Sequence, residues 1–367
     1  MKVVYLISRA RICGPVNQAL NILNGLRLNG HTEGTLVTLA PEIEGNSWIN
    51  RFEEDGINTF SLKQSLIRTF FCIPKLRRYL KENNIDIIHS SGFRANFVSW
   101  LMPAKYIKVS TQRSSPADIP EKFPQIFRPL VEWVYLKIIK QIPHNVACSK
   151  SLANIFLKEY GMDIPYVQNG VNSDFFKPLD TQLKILQREE LNLPTDKKIY
   201  LILGSLNKRK NNEMMIRVAN NLSGLPITFL FVGSGPEEAH LKGLVRNPNI
   251  LFTGTTKNPL KYLQVADILV SCSLAEGLPN TVLEGMACGL PCILSDIGPH
   301  RELIEDTEAG ILFDLNNDNS LLKAIEESYN WDNLKSNKSR EIALLKFDRK
   351  ITAQNYEDIY LKAEKCR

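Results

Sequence analysis

Short apolar runs alternate along the whole chain with longer segments in which apolar residues recur at the spacing of an α-helix. Runs rich in Val, Ile and Leu at successive positions predict strands that are buried on both faces. In the first half these runs are KVVYLIS, GTLVTL, NTFSL, IDIIHSS, IKVST and HNVACS. In the second half they are KIYLILGS, ITFLFVG, ILFTG, ILVSCS, PCILSD and GILF.

Strands that alternate with helices predict an α/β protein with two doubly wound, Rossmann-like domains. Glycine and proline in NGVNSDFFKPLD interrupt both periodicities, so we place the domain boundary there, with one domain over residues 1–177 and the other over 178–348. An amphipathic stretch at about 349–367 is predicted to be a helix that joins the first domain. Ligands of such sheets bind at the carboxyl ends of the strands, so we expect a cleft between two facing domains.

The composition is that of a globular protein, with 44% hydrophobic and 23% charged residues in a chain of 367. This length is sufficient for two separate cores. The first apolar run is too short for a secretory signal, and none is long enough to cross a bilayer. Seven scattered cysteines without a C-x-x-C pair favour reduced core residues over disulfides or a metal site. These features predict a cytoplasmic protein.

Positive charge is concentrated in the first half of the chain. Residues 1–177 hold 22 Lys and Arg against 14 Asp and Glu, whereas residues 178–367 hold 23 against 25. This asymmetry indicates an anionic partner such as a membrane surface, a phosphorylated ligand or nucleic acid. Because aromatic residues are not interleaved with the basic ones in any known nucleic-acid-binding pattern, we do not expect nucleic acid.

Two glutamates stand eight residues apart in AEGLPNTVLEGMACGLP. Glu276 follows the predicted strand ILVSCS, and a helix is expected to begin near Asn280 or Thr281. Amide groups at a helix start bind anions with the help of the helix dipole, so Glu276 and Glu284 would flank an anion site. The alternative for Glu284 is a capping box with Thr281. The alternative for Glu276 is a solvated loop residue.

The run EGLPNTVLE, followed by GMACGLPCILSD, resembles the E-x7-E signature of the retaining glycosyltransferases of family 4, which have the two-domain GT-B architecture. The resemblance continues in the family's order through VACSKSLANIF, VQNGVNSDFFKP, FVGSGPEEAHL and VADILVSCS and covers nearly the whole chain. It implies transfer of a sugar, with retention, from a nucleotide diphosphate sugar to a hydroxyl of a glycan or lipid-linked saccharide in cell-surface polysaccharide synthesis. UDP is the nucleotide expected.

The resemblance also implies roles for individual residues. In such enzymes the first glutamate, here Glu276, contacts the donor sugar, and the second, Glu284, accepts hydrogen bonds from the ribose. The amides of residues 277–281 would hold the diphosphate, and Lys210 would neutralise the leaving group. The donor-binding residues expected on this basis are Gly14, Ser205, Arg209, Lys210, Gly233, Glu276, Gly277, Leu278, Pro279, Asn280, Thr281 and Glu284.

Three places depart from the family's pattern. In the amino-terminal loop, Cys13, Gly14 and Pro15 stand where the family often has a double glycine. Ser205 stands where the family usually has an arginine, which leaves Arg209 or Lys208 as the substitute cation. Arg113 stands where the family usually has a histidine in a T-x-H segment, and it cannot act as a base because it stays protonated. Arg113 could instead bind an oxygen of the sugar or an anionic group of the acceptor. With Glu276 and Lys210, it completes the set of predicted catalytic residues.

The expected chemistry requires neither a metal nor a cofactor. The sequence contains no D-x-D motif that would carry a magnesium–diphosphate complex. The family is described as using a same-face route in which the leaving phosphate accepts the proton of the acceptor. No dedicated side-chain base is then needed, in contrast to retaining glycosidases.

The acceptor is expected on the side of the first domain. His89, Ser91 and Arg94, at and after the end of a predicted strand, are candidate acceptor-side residues, with a structural hydrogen bond as the alternative for His89. The stretch LKQSLIRTFFCIPKLRRYLK, residues 62–81, interleaves apolar and basic positions, which is typical of helices that lie on anionic membranes. The alternative is a surface helix whose apolar side faces the sheet. We expect peripheral contact with the inner face of the membrane; the oligomeric state is not predicted.

Three other functions fit parts of the sequence. A nucleotide-sugar epimerase of similar architecture would bind the same donor without forming a glycosidic bond. An NAD-dependent oxidoreductase is suggested by the G-x-G of FVGSGPEE, in which Glu238 occupies the place of the third glycine. A binding protein without activity is suggested by the departures at Ser205 and Arg113.

Overall fold

The computed structural model describes residues 1–118, 124–222 and 224–366. The chain divides into two compact units. Unit 1 consists of Met1–Gly170 together with Arg349–Arg367, and unit 2 consists of Val171–Asp348. No helix in the described part of the chain combines the length and apolar character needed to span a bilayer.

Unit 1 contains a parallel sheet with the strand order β3-β2-β1-β4-β5-β6. The predicted strands of the first half are all confirmed. Their bounds are β1 Lys2–Ile7, β2 Glu33–Thr38, β3 Asn58–Ser61, β4 Ile87–Ser91, β5 Ile107–Gln112 and β6 His144–Ala147. The helices of this unit, numbered along the chain, are α1 Gly14–Asn29, α2 Ile49–Glu54, α3 Cys72–Glu82, α4 Phe93–Trp100, α5 Arg128–Lys140, α6 Lys150–Tyr160 and α15 Arg349–Lys365.

The strands of unit 1 are apolar on both faces because helices cover both sides of the sheet. On β1, Val3, Tyr5 and Ile7 pack toward α1 and α15, whereas Val4 and Leu6 pack toward α3 and α4. Helices α1 and α15 approach closely at Gly25. A Cβ atom there would lie 2.4 Å from the carbonyl oxygen of Arg349, so only glycine permits this packing.

Unit 2 contains a second parallel sheet with the order β12-β11-β10-β7-β8-β9. The predicted strands of the second half are confirmed as β7 Lys198–Leu203, β8 Ile227–Val232, β9 Ile250–Gly254, β10 Ile268–Ser271, β11 Cys292–Ser295 and β12 Gly310–Phe313. The helices are α7 Thr181–Glu190, α8 Asn212–Asn221, α9 Glu238–Leu244, α10 Pro259–Val265, α11 Asn280–Ala287, α12 Gly298–Ile304, α13 Asp318–Ser328 and α14 Asn333–Lys346. Each unit is thus a doubly wound α/β domain, as the sequence predicts.

The boundary between the units lies earlier than the sequence indicates. Residues 171–177 belong to unit 2, whereas the boundary predicted from the sequence assigned them to the first domain. The reason is packing: Val171 and Phe176 are buried in the core of unit 2, and the Val171 amide donates to the carbonyl oxygen of Phe347 at 2.8 Å. The helix predicted at about 349–367 is α15, and it packs on α1 within unit 1.

Two glycines bring the loops after β7 and β8 of unit 2 into contact. Gly233 has a φ of +140°, and a Cβ atom on it would lie 1.9 Å from the carbonyl oxygen of Gly204. A Cβ on Gly235 would lie 2.2 Å from the carbonyl oxygen of Leu206. The G-x-G of this loop therefore has a packing role in unit 2.

Gly233→Ala should destabilise unit 2 by about 2 kcal/mol or more, because the new methyl group combines backbone strain with a steric clash. A lowered thermal unfolding temperature would show this. Gly243→Ala is the matched control: Gly243 lies in α9, where a Cβ meets nothing within 4 Å, so this variant should be neutral or slightly stabilised. Equal unfolding temperatures for the two variants would contradict the packing role.

Candidate functional site

The loop between β10 and α11 in unit 2 carries the first of the two glutamates. Helix α11 begins at Asn280, as predicted, with Pro279 at the N-cap position and no side-chain cap. Thr281 therefore lies inside the helix, and the capping-box alternative for Glu284 is wrong. Glu284 sits half-buried in the middle of α11. The first amides of α11 have no intrahelical acceptor, as at any helix start.

Glu276 meets two cations from the loop that follows β7. Lys210 donates to its Oε1 at 2.7 Å, and an N–H of Arg209 lies 3.4 Å from its Oε2. The Glu276 side chain is 8% exposed, whereas those of Lys210 and Arg209 are 20% and 54% exposed. The carboxylate is thus enclosed, while both cations reach solvent. Glu276 is not the solvated loop residue of the alternative interpretation.

Opposing effects set the pKa of Glu276. Burial raises the pKa of this carboxyl. Lys210, Arg209 and a hydrogen bond from Ser273 together lower it by more than burial raises it, so the pKa lies below its ordinary value. Glu276 is therefore ionised at neutral pH. An ionised carboxylate accepts hydrogen bonds from sugar hydroxyls without donating any.

Arg209, one of the two cations expected to substitute for the arginine missing at Ser205, contacts Glu276. Ser205 is exposed, whereas Arg209 donates to the carbonyl oxygen of Ala275 at 3.0 Å in addition to its contact with Glu276. The carbonyl oxygen of Arg209 in turn accepts from the Leu274 amide at 2.8 Å. The loop after β7 and the loop after β10 are therefore tied together by main-chain and side-chain contacts.

Local structure fixes Lys210. It ends a short 3₁₀ turn, Lys208–Lys210, and the Asn207 side chain caps that turn by accepting from the Lys210 amide at 3.2 Å. A Cβ at Gly204 would lie 3.7 Å from Lys210 Cε, an ordinary van der Waals distance, so glycine is favoured there by its positive φ of +145° rather than by a lack of space. The ammonium group is thereby held at the carboxyl edge of the sheet.

His300 is a further residue of this region that the sequence analysis did not identify. It is fully buried after β11, and its Nδ1 donates to the carbonyl oxygen of Ser295 at 2.8 Å. The Ser295 hydroxyl donates to the carbonyl oxygen of Ser273 at 2.6 Å, near the start of the loop that carries Glu276. Burial lowers the pKa of His300 to about 4, so its imidazole ring is neutral at physiological pH. Only its position after a strand end could have signalled it.

In unit 1, Arg113 follows β5 at the carboxyl edge of the sheet. Its guanidinium donates to the Asn169 side chain at 2.8 Å and to the hydroxyl of Tyr5 at 3.1 Å. Thr111, two residues earlier, is buried and hydrogen-bonded to His89 at 2.6 Å. Arg113 is half-buried, so part of its side chain remains accessible.

The candidate acceptor-side residues have structural partners. His89 is fully buried, and its other ring nitrogen lies 2.6 Å from the hydroxyl of Tyr360, which favours the structural alternative. Ser91 makes a long contact, 3.5 Å, to the carbonyl oxygen of Thr111. Arg94 donates to the carbonyl oxygens of Gln64 and Ser65 at 3.0 and 2.8 Å, so it holds the segment before α3. Gly14 begins α1 directly after the loop that follows β1.

The opposite, amino edge of the unit 2 sheet contains a cavity of about 530 Å³. Its lining includes Lys184 and Asp267, which form an ion pair at 2.7 Å. Arg188, which is buried, also contacts Asp267 at 2.6 Å. The single carboxylate thus offsets one of these two positive charges, and the cavity lies at the far end of the strands from Glu276.

No group of three or more His, Cys, Asp or Glu side chains in the described ranges is arranged to hold a metal ion. The cysteines are all free, and five of them are buried. Burial raises the pKa of the Cys272 and Cys288 thiols to about 12, which makes them unreactive core residues.

Comparison with known proteins places the chain in a family. Residues 12–175 match the family described as Glycosyltransferase Family 4, and residues 184–342 match Glycosyl transferases group 1. The O-antigen biosynthesis glycosyltransferase WclY of Escherichia coli is 25% identical over 98% of both chains. A 30% identical match to EpsD of Bacillus subtilis covers 52% of each chain, about half of that protein's length.

The fold comparison agrees with these matches. The crystal structure of Anabaena HepE in complex with UDP and glucose superposes with a TM-score of 0.80 at 17% identity, and the match covers 99% of this chain and 100% of HepE. At that identity the likeness establishes the fold. The two doubly wound units, the two family matches and the full-length likeness to WclY agree, and the chain belongs to glycosyltransferase family 4, with the GT-B architecture.

Proposed function

We propose that the protein transfers a sugar from a UDP-sugar to a hydroxyl of a lipid-linked or oligosaccharide acceptor, with retention and without a metal or cofactor. The carrying observation is the cluster of Glu276, Lys210 and Arg209 beside the start of α11. An enclosed carboxylate with two cations and a helix start provides acceptors for sugar hydroxyls and donors for a diphosphate in one place.

Unit 2 would hold the donor. Glu276 would accept hydrogen bonds from the transferred sugar, and Glu284 would accept from the ribose. The amides of residues 277–281 would bind the diphosphate, with Gly233 giving backbone access near it. UDP as the nucleotide is supported by the HepE complex, which contains UDP.

The leaving group would be stabilised by protein charge. When the bond between the anomeric carbon and the phosphate oxygen breaks, negative charge develops on the diphosphate, and Lys210 and Arg209 lie where they can offset it. Retention would follow if the acceptor attacks from the face that the diphosphate leaves and passes its proton to the phosphate oxygen. This route uses no side-chain base, so Arg113 in place of histidine does not prevent it.

A surface of unit 1 supports a lipid-linked acceptor and peripheral membrane contact. Helix α3 buries its apolar stripe, Cys72, Leu76 and Leu80, so it is an ordinary surface helix. The exposed apolar side chains lie instead in the turn before it, in the segment that leads into α5 and in the first part of α5 itself. We call this set the apolar–basic surface; it comprises Leu66, Ile67, Phe70, Phe71, Ile126, Phe127, Leu130 and Trp133, with Arg68, Lys75, Arg128 and Lys137 exposed among them.

The apolar–basic surface is held in place by α4, which lies between its two segments. Phe97 of α4 contacts the ring of Phe70, and Phe93 stacks on Tyr135 of α5. Arg94 fixes the turn before α3 through main-chain carbonyls. Exposed apolar groups beside basic groups, with no acidic residue in 62–81, fit an anionic lipid surface.

The double variant Ile67→Asp/Phe71→Asp should reduce co-sedimentation with vesicles that contain anionic phospholipid by at least about 10-fold, because each large apolar group that enters the lipid contributes about 1.5–3 kcal/mol. Both side chains are exposed, at 93% and 62%, so the fold should persist. Leu186→Asp/Leu345→Asp in unit 2 is the matched control, at 55% and 67% exposure. Equal loss in both double variants, or no loss in the first, would contradict the membrane role.

A screen of nucleotide sugars tests the proposed function. UDP and UDP-sugars should raise the unfolding temperature by mass action, and UDP release should accelerate only when an acceptor hydroxyl is present. Isomerisation of the sugar without an acceptor would instead support an epimerase. Unchanged activity after chelation is the result expected for metal-independent transfer. Absence of any nucleotide binding would overturn the proposal.

A further inference from the structure

The guanidinium of Arg113 is oriented but incompletely satisfied. An arginine has five N–H donors. Two acceptors engage Arg113, the Asn169 side-chain oxygen at 2.8 Å and the Tyr5 hydroxyl at 3.1 Å. Its Nε is buried and has no hydrogen-bond partner in the described part of the chain. Two neutral acceptors therefore hold the group in place and leave donors available.

The charge of Arg113 also lacks compensation among the described residues. The groups that act on it electrostatically are Tyr5, Tyr356 and Cys148, none of them a carboxylate. His89 is also close enough for Arg113 to lower its pKa, and because burial lowers that pKa still more, the ring is neutral. Burial lowers the pKa of Arg113, but Tyr5, Tyr356 and Cys148 raise it above its ordinary value, so the group stays charged and can attract an anion.

Arg188 of unit 2 is a buried arginine that has a carboxylate partner. Its guanidinium donates to Asp267 at 2.6 Å and to the carbonyl oxygen of Val265 at 2.7 Å, and Asp267 also pairs with Lys184. Arg113 is half-buried and has only neutral partners. Arg94, a buried arginine of unit 1, also lacks a carboxylate, but its Nε donates to Thr69, whereas the Nε of Arg113 has no partner among the described residues.

The position of Arg113 agrees with a ligand site. It follows β5 at the carboxyl edge of a parallel sheet, where doubly wound domains bind ligands. Arg9, which follows β1 at the same edge, also has a buried Nε without a partner among the described residues. Both arginines belong to the half of the chain with excess positive charge.

We propose that Arg113 forms an anion subsite in unit 1 that binds an acidic group of the acceptor, a phosphate or a carboxylate. The inference rests on the proposed function, since it assigns the acceptor to this unit. The donor diphosphate already has Lys210, Arg209 and the start of α11 in unit 2, so it does not require this arginine. The planar, fixed fork of Arg113 suits the oxygen pairs of phosphate and carboxylate groups.

The test measures ligand binding in the presence of saturating UDP, which occupies the donor site. The probes are N-acetylglucosamine 1-phosphate, glucuronate and the neutral methyl N-acetylglucosaminide. Wild-type protein should bind at least one acidic probe about 10-fold or more tightly than the neutral one. Arg113→Gln should remove that preference and leave UDP affinity unchanged. The acidic probe that wild-type protein prefers identifies the source of the anionic group.

Two further variants keep the test decisive. Arg113→Lys retains the charge without the planar fork and should keep part of the preference, which protects the test if the glutamine variant unfolds. Arg27→Gln, an exposed arginine near the end of α1, should behave as wild type. The inference is overturned if acidic probes show no preference while UDP binds, if the preference survives in Arg113→Gln, or if UDP affinity falls with it. Failure of UDP itself to bind overturns the proposed function, and the inference with it.

Discussion

Replacing Glu276 with alanine should lower the rate of sugar transfer by at least about 100-fold and leave the fold intact. The carboxylate is 8% exposed and ionised. Alanine removes the two oxygens that would accept hydrogen bonds from the hydroxyls of the transferred sugar. Stability should change little, because Lys210 and Arg209 already reach solvent and water can replace their partner. Steady-state kinetics with the preferred UDP-sugar, together with thermal unfolding, measure both effects.

Companion variants separate the role of Glu276 from the mere loss of a charge. Glu276→Gln keeps the shape and one acceptor, so it should retain more activity than the alanine variant. Glu284→Gln should mainly weaken UDP binding. Glu305→Ala removes an exposed carboxylate of the same unit and should be silent. Transfer near the wild-type rate in Glu276→Ala would remove this residue from the mechanism.

Replacing Lys210 with methionine should have an effect of similar size, about 100-fold or more on kcat, because the departing diphosphate loses its best-placed cation. A second effect follows from the pKa of Glu276. Burial raises that pKa, and Lys210 is the largest of the opposing influences. Without the ammonium the pKa should rise, so the acid limb of the pH–rate profile should move to higher pH.

The pH profile makes this prediction specific. A variant that has only lost structure would show a lower rate with an unmoved acid limb. Lys242→Gln removes an exposed lysine that pairs with Glu238 in α9, and it should leave both rate and profile unchanged. An acid limb that stays in place in Lys210→Met would show that the lysine does not control the ionisation of Glu276.

The strands and the helix start at Asn280 could be predicted because each has a strong local cause. An apolar run such as KVVYLIS can pack against helices on both faces of a sheet only if it forms a buried strand. The structure shows such a strand at β1, as the pattern predicts. The loop GLPN stops the strand before it and places Asn280 at the first position where a helix can begin. Local chemistry decided both outcomes.

Other features depend on contacts distant in sequence, which a local pattern does not contain. The capping box fails because it requires Thr281 at the N-cap position, whereas Pro279, two residues earlier, is the N-cap and the helix starts at Asn280. The stretch 62–81 has helical spacing throughout, yet Arg94 and the sheet fix its first part as turns and leave α3 to begin at Cys72. The hydrogen bond from Arg209 to the carbonyl oxygen of Ala275 joins two loops that are distant in sequence. The hydrogen bond from His300 to Ser295 likewise cannot be predicted from residue spacing.

The late return of α15 to unit 1 has a consequence for the order of events during synthesis. Unit 2 is a continuous stretch, so it can finish folding as soon as Asp348 has left the ribosome. Unit 1 begins first but must wait, because Tyr356 and Tyr360 of α15 complete the hydrogen bonds of Thr111 and His89. Until then the groove beside α1 stays open to water. The nascent amino-terminal half is thus the part of the chain most exposed to chaperones and proteases, although it is made first.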